Sequence, residues 1–150
     1  MIKIYLKSIL ISVVLGGFVG ILTSSNMNYS NLIKPVFSPP AILFPIVWTI
    51  LYILMGVSYG ILKSNLQLTE KGKNIYYLQL FVNYLWPIFF FVFDLKLFSF
   101  FWILLLIVLV VFMIKEFYYK NKLTGLLQIP YLLWLVFASV LNFSIYWLNR

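Results

Sequence analysis

The chain contains neither cysteine nor histidine. Their absence excludes disulfide bridges, thiolate nucleophiles, Cys/His zinc centres and imidazole-ligated haem. Carboxylates are almost as scarce: Glu70, Asp94 and Glu116 are the only acids in 150 residues. Paired-carboxylate catalysis and a carboxylate-lined proton relay both need more. No metal and no cofactor are expected. Charge of either sign is thin, at 9% of residues, where a soluble domain carries about 25% to cover its surface.

What is present is apolar. Hydrophobic residues make up 64% of the chain and aromatics 21%, with a mean hydropathy of +1.04. Too few charges remain to coat a globule, so the solvent is lipid. The net charge of +8 comes from lysines at the ends of apolar runs, where they face a negative leaflet. No lysine stripe marks a helix face, so no nucleic-acid partner is expected.

A membrane-crossing helix needs about 20 apolar residues. Five stretches qualify: residues 4–24, 41–62, 75–93, 97–117 and 125–147. The expected fold class is all-α, an integral membrane bundle of five transmembrane helices, forming a single domain over residues 1–150. No polar stretch between them exceeds residues 23–40. The first run has a second reading, because Lys3 and Lys7 precede an apolar segment ending in "TSSN", the pattern of a cleaved signal peptide. The length of the run from Ser8 to Leu22, and a packing face of Gly16, Gly17 and Gly20, favour a span. Five spans put the termini on opposite sides. Lys3, Lys7, Lys63, Lys71, Lys73, Lys115, Lys120 and Lys122 fall on the N-terminal side, and Lys34, Lys96 and Arg150 on the other. The positive-inside rule then places the N-terminus in the cytoplasm.

The side carrying the long first connection is termed the upper side. At about 1.5 Å per residue, Trp48 lies within two turns of the upper end of the second span. Asn83 and Trp86 lie two to three turns from the upper end of the third. The fifth ends there, with Asn142, Ala138 and Trp134 at increasing depth. Trp134, Ala138 and Asn142 recur every four residues and share a face. So do Trp48, Tyr52, Met55 and Tyr59, and likewise Gln79, Asn83 and Trp86. An amide in hydrocarbon must find a partner. Asn83, Gln79 and Asn142 therefore point inward, either to bond helix to helix or to hold a ligand. Aromatics from three helices at one depth favour a cavity for a large flat molecule.

Trp102, Trp147, Tyr118 and Tyr119 sit near span ends, where the aromatic belt accounts for them. "GGFVG" and "GVSYG" are GxxxG patterns, used either between helices 1 and 2 or in a dimer; packing within the chain is expected. Leu141, Tyr146 and Arg150 fit a loose sterol pattern, which an interfacial Tyr and a snorkelling Arg also explain.

Four of the six prolines fall between Pro35 and Pro45. Pro45 suits a first helical turn. Pro35, Pro39 and Pro40 hold the preceding backbone extended. The segment is thus a stiff strap over the upper end of the bundle, a connector or, with a cavity beneath, a lid of Lys34, Pro35, Pro39 and Pro40.

Three blocks, in order, resemble the TspO/MBR family. "KPVFSPPAILFPIVWTILYILMG" (34–56) is similar to its K-P-x-x-x-P-P…W-x-x-L-Y-x-x-M-G pattern. "LQLFVNYLWPIFFF" (78–91) is similar to Q-x-x-x-N-x-x-W-x-x-x-F-F. "PYLLWLVFASVLNFSIYWLN" (130–149) is similar to P-Y-x-x-W-x-x-F-A-x-x-L-N-x-x-I-x-x-x-N. The resemblance implies a five-helix bundle, commonly a homodimer, in what is taken to be a bacterial cell membrane. It implies a pocket open towards the first loop that binds porphyrins, notably protoporphyrin IX, and in some members sterols or benzodiazepine-site ligands. Trp48 and Trp134 stand at the family's pocket tryptophans. Tyr29, Asn83, Ala138 and Asn142 match further pocket positions, and Tyr52 and Trp86 join them by spacing. Pro87 departs from the pattern and should kink helix 3 and free a carbonyl. That helix also lacks the small residues of the family's dimer contact.

The function expected is a receptor or carrier for tetrapyrroles or other flat hydrophobic molecules. Trp48 and Trp134 would stack on the ligand. Asn83 and Tyr29 would bond its polar edge, and Lys34 would meet a carboxylate. Membrane lipid is the surrounding partner. One alternative is an enzyme that degrades protoporphyrin with light and oxygen, in which Trp48 and Trp134 would be the catalytic pair. Another is a small-molecule transporter, which usually needs a buried coupling charge that no span offers at its middle.

Overall fold

A computed structural model describes residues 1–24 and 29–150; residues 25–28 of the first connection, including Ser25 and Asn26 of "TSSN", lie outside them. The elements are α1 (Ile2–Ser24), a 3-10 turn (Tyr29–Asn31), α2 (Leu43–Ser64) and α3 (Glu70–Pro87). A π-helical turn (Ile88–Val92) extends α3, and α4 (Lys96–Lys120), α5 (Lys122–Leu126) and α6 (Ile129–Leu148) follow. Among the described residues, five helical segments are long and apolar enough to cross a membrane, the last formed by α5 and α6 together. The all-α five-span expectation holds.

Two departures from the sequence reading have a local reason. The third span starts at Glu70, five residues early, although "EKGKN" is polar. Thr69 caps it, its Oγ1 accepting from the Gly72 amide at 2.9 Å, which relieves an unpaired first-turn donor. Thr69 in turn donates to Glu116 Oε1 at 2.8 Å, so this end is fastened to α4. The fifth span is interrupted. Asn121 caps the short α5 through the Leu123 amide, and α6 restarts with Pro130 in its first turn, where the missing N–H is harmless.

The core forms because each helix turns one stripe inward. On α4, Ile103, Leu106, Val110, Met113 and Phe117 recur at helical spacing, and each is almost fully buried. The outer faces carry exposed Leu, Ile, Val and Phe, as a bundle in lipid requires. α1 packs against α2 at the GVSYG glycines. A Cβ on Gly56 would lie 2.5 Å from Ile9 Cα, and one on Gly60 3.0 Å from the Tyr5 ring. This glycine pair therefore serves contact within the chain. The Ser12 hydroxyl adds a bond to the Tyr52 carbonyl at 2.8 Å. The Tyr84 hydroxyl donates to the Ser12 carbonyl at 2.9 Å, bringing in α3.

Pro87 acts as expected in part. It supplies no N–H to the carbonyl one turn earlier, and the helix changes from α to π spacing directly after it. The Phe93 amide bonds back five residues, to the Ile88 carbonyl.

Candidate ligand cavity

The upper half of the bundle holds a partly open cavity of about 790 Å³, within the range of small-molecule sites. Tyr29, Trp48, Tyr52, Asn83, Trp86, Trp134, Ala138 and Asn142 all line it. They arrive from the strap, α2, α3 and α6. Trp48 stacks on Tyr52 with ring centroids 5.6 Å apart and meets Tyr131 edge-on at 6.2 Å. Trp134 leans on Phe44 at 6.0 Å and Phe137 at 5.3 Å. Trp86 stacks on Phe90 at 5.1 Å. The indoles are half-buried and held in place by other rings.

The amides, open between two roles on sequence, bond to protein. Asn83 Oδ1 accepts from the Tyr52 hydroxyl at 2.5 Å, and its Nδ2 donates to Tyr131 Oη at 2.8 Å. Tyr131 donates onward to Gln79 Oε1 at 2.8 Å. Asn142 Oδ1 accepts from Trp86 Nε1 at 2.9 Å, and its Nδ2 donates to the Lys96 carbonyl at 2.8 Å. These bonds tie α2, α3, α4 and α6 together around the cavity floor and wall. Trp134 differs. Its Nε1–H is buried with no protein acceptor in reach, and it is the cavity-lining residue for which this holds among those described.

The strap contributes its ends to the wall, Tyr29 and Ser30 on one side and Ala41 and Ile42 on the other. Lys34, Pro35, Pro39 and Pro40 lie between and do not line the cavity. Lys34 Nζ donates to the Tyr29 carbonyl at 2.9 Å and sits 4.7 Å above the Tyr29 ring. The Tyr29 hydroxyl donates to the Pro39 carbonyl at 2.9 Å. Burial raises that hydroxyl above its ordinary pKa, against a smaller opposing effect of a bond with Ser38. It therefore stays a donor through neutral pH.

Other positions were not legible as cavity wall. Gly17 and Gly20 of α1 read as a packing face, yet a Cβ on either would meet nothing within 4 Å, and both line the cavity. Phe90 and Phe91 reach the wall through the π turn. One aromatic is misplaced by the belt reading. Trp102 is half-buried, donates to the Val82 carbonyl at 2.7 Å and packs on Phe89 at 5.0 Å, so it joins α4 to α3. Trp147 is half exposed, with the Arg150 guanidinium 3.4 Å over its ring.

Chemically the cavity offers flat apolar faces and, among the described residues, one fully buried unpaired donor. No acid lines it, and no group of metal-binding side chains occurs among the described residues.

The family model described as TspO/MBR matches residues 8–148. The chain is 39% identical over 122 residues to "Tryptophan-rich protein TspO" of Archaeoglobus fulgidus, covering 81% of this chain and 79% of that one. It is 37% identical over 139 residues to "Protein CrtK" of Rhodobacter capsulatus, covering 89% and 85%. It is 33% identical over 146 residues to "Translocator protein homolog" of Schizosaccharomyces pombe, covering 93% and 88%.

Proposed function

We propose, from the premise that this chain belongs to the TspO/MBR family and is an integral membrane protein, that its cavity binds a porphyrin or a similarly flat, hydrophobic molecule. The protein then acts as a membrane receptor or carrier for tetrapyrroles such as protoporphyrin IX. The observation that carries this reading is the Trp134 N–H. A buried donor without an acceptor costs about 1–3 kcal/mol. A ligand acceptor placed there recovers that cost, while the surrounding rings take its flat face. Trp48 supplies the second indole. Asn83 and Asn142 hold the walls through their protein bonds, and Lys34 reaches a ligand carboxylate only by leaving the Tyr29 carbonyl.

Ion-coupled transport is less well supported, since Asp94, Glu70 and Glu116 all lie off the cavity wall. Light-driven porphyrin degradation would use the same two indoles and is separated from binding by product formation under illumination. The proposal includes a homodimer, membrane lipid as the surrounding partner, a bacterial cell membrane, and an N-terminus on the cytoplasmic side.

Titrating protoporphyrin IX into the detergent-solubilised protein tests it. The expected result is saturable quenching of tryptophan emission with a matching shift of the porphyrin absorption band. Quenching that rises linearly without saturating would show partition into the micelle and end the proposal.

A further inference from the structure

We infer that Asn149 is a positioning residue, a latch that holds the strap, whose two ends line the cavity, against α6 and sets how fast the cavity opens. The inference rests on the proposed ligand role of the cavity. Its physical core is a two-point clamp. The Ile33 amide donates to Asn149 Oδ1 at 3.0 Å, and Asn149 Nδ2 donates to the Ile33 carbonyl at 2.8 Å. One side-chain amide thus pairs with the backbone as a neighbouring strand would. It joins residues 116 positions apart in sequence.

The clamp is pre-set. Asn149 Nδ2 also donates to the Ile145 carbonyl at 2.8 Å, and its backbone N–H bonds the Ile145 carbonyl at 3.1 Å. The last turn of α6 therefore orients the side chain before the strap arrives. Among the described residues, the strap's other side-chain polar ties are internal, Lys34 to Tyr29, Tyr29 to Pro39 and the Ser38 hydroxyl, with its amide, to the Pro35 carbonyl, and its far end runs into α2 through the Leu43 and Phe44 amides. With Pro35, Pro39 and Pro40 fixing its backbone, the segment moves as one piece. Its further anchors to the helices are apolar: Phe37 on Phe137 at 6.2 Å, Tyr29 on Phe44 at 5.2 Å, and Leu32 against the cluster of Phe90, Leu141 and Ile145. Among the described residues, Asn149 is the helix side chain that holds the strap by hydrogen bonds.

Its position suits a latch better than a permanent staple. Both partners are exposed. Water can replace both bonds when they break, so neither residue is left unsatisfied. A buried pair would be fixed; this one biases an equilibrium.

The test is Asn149→Ala, with amide hydrogen exchange as a readout that needs no ligand. Exchange at the Ile33 amide should rise about tenfold. Exchange at Ser38, whose amide bonds the Pro35 carbonyl within the strap, should stay unchanged, as should that of α2 amides. With protoporphyrin IX, the on- and off-rates should increase together and the dissociation constant stay nearly constant. Asn149→Asp keeps the acceptor for the Ile33 amide and should fall between the two. Unchanged exchange at Ile33 would overturn the latch. So would faster exchange at Ile33 accompanied by faster exchange at Ser38, which is loss of the strap's own fold, or with the ligand rates unmoved, which is local fraying. If protoporphyrin fails to bind the unaltered protein, the ligand reading falls, and the exchange data still decide the latch.

Discussion

Replacing Trp48 and Trp134 together by phenylalanine raises the dissociation constant for protoporphyrin IX by about thirtyfold to a hundredfold. Each change removes part of an aromatic face, worth about 0.5–1.5 kcal/mol per ring pair beyond area. Trp134→Phe also removes the unpaired N–H, worth about 1 kcal/mol once it has an acceptor. Together they reach roughly 2–3 kcal/mol, at 1.4 kcal/mol per factor of ten. Binding should be read from the porphyrin absorption band, because the variants remove emitting indoles. The two single variants separate the roles. Trp134→Phe deletes a buried donor that the empty protein leaves unpaired, so its loss of packing area is offset and unliganded stability stays within about 1 kcal/mol. Its affinity nevertheless falls. Trp48→Phe loses the stack on Tyr52 and weakens binding through area alone. An unchanged dissociation constant in the double variant would place the porphyrin outside this cavity.

The parts of the fold that were legible in sequence are those set by solvent. Lipid demands length and apolarity, and five runs met that demand. The cavity residues were legible because one face of an α-helix repeats every three or four positions. A lipid-facing stripe has no use for Trp48, Tyr52, Trp134 and Asn142 at that spacing. What was hidden depends on how helices rotate against one another. Asn83 and Asn142 find partners on other helices, and no pattern within α3 or α6 names them. Trp102 counted as an end-of-span aromatic by position, while its indole N–H is turned to the Val82 carbonyl. Phe90 and Phe91 follow Pro87, where π spacing replaces the 3.6-residue repeat used to assign faces. The Asn149 clamp was invisible because it joins the last turn of the chain to the first loop.

Glycine gives the sharpest case of one residue type serving opposite ends, and Gly56→Ala is expected to be the most damaging single-methyl change in the molecule. Its Cβ would stand 2.5 Å from Ile9 Cα and 2.7 Å from Ile9 N. Both are backbone atoms of a long helix, so no side-chain rotation relieves the clash. α1 and α2 must separate, which strains the Ser12–Tyr52 bond and the glycine seam below it. Overpacking of this kind costs about 1–3 kcal/mol, and with α1 displaced the upper figure applies, lowering the melting temperature by about 5–10 °C. Gly17→Ala is the control, because its Cβ meets open space, and a helical alanine is about 1 kcal/mol better than glycine. Thermal unfolding in one detergent should therefore move the two variants in opposite directions. Gly17→Leu goes further, filling cavity volume from α1 and weakening protoporphyrin binding without loss of stability. If Gly56→Ala melts with the unaltered protein but alters its oligomeric state, then GVSYG faces a second copy and the α1–α2 seam is drawn wrongly.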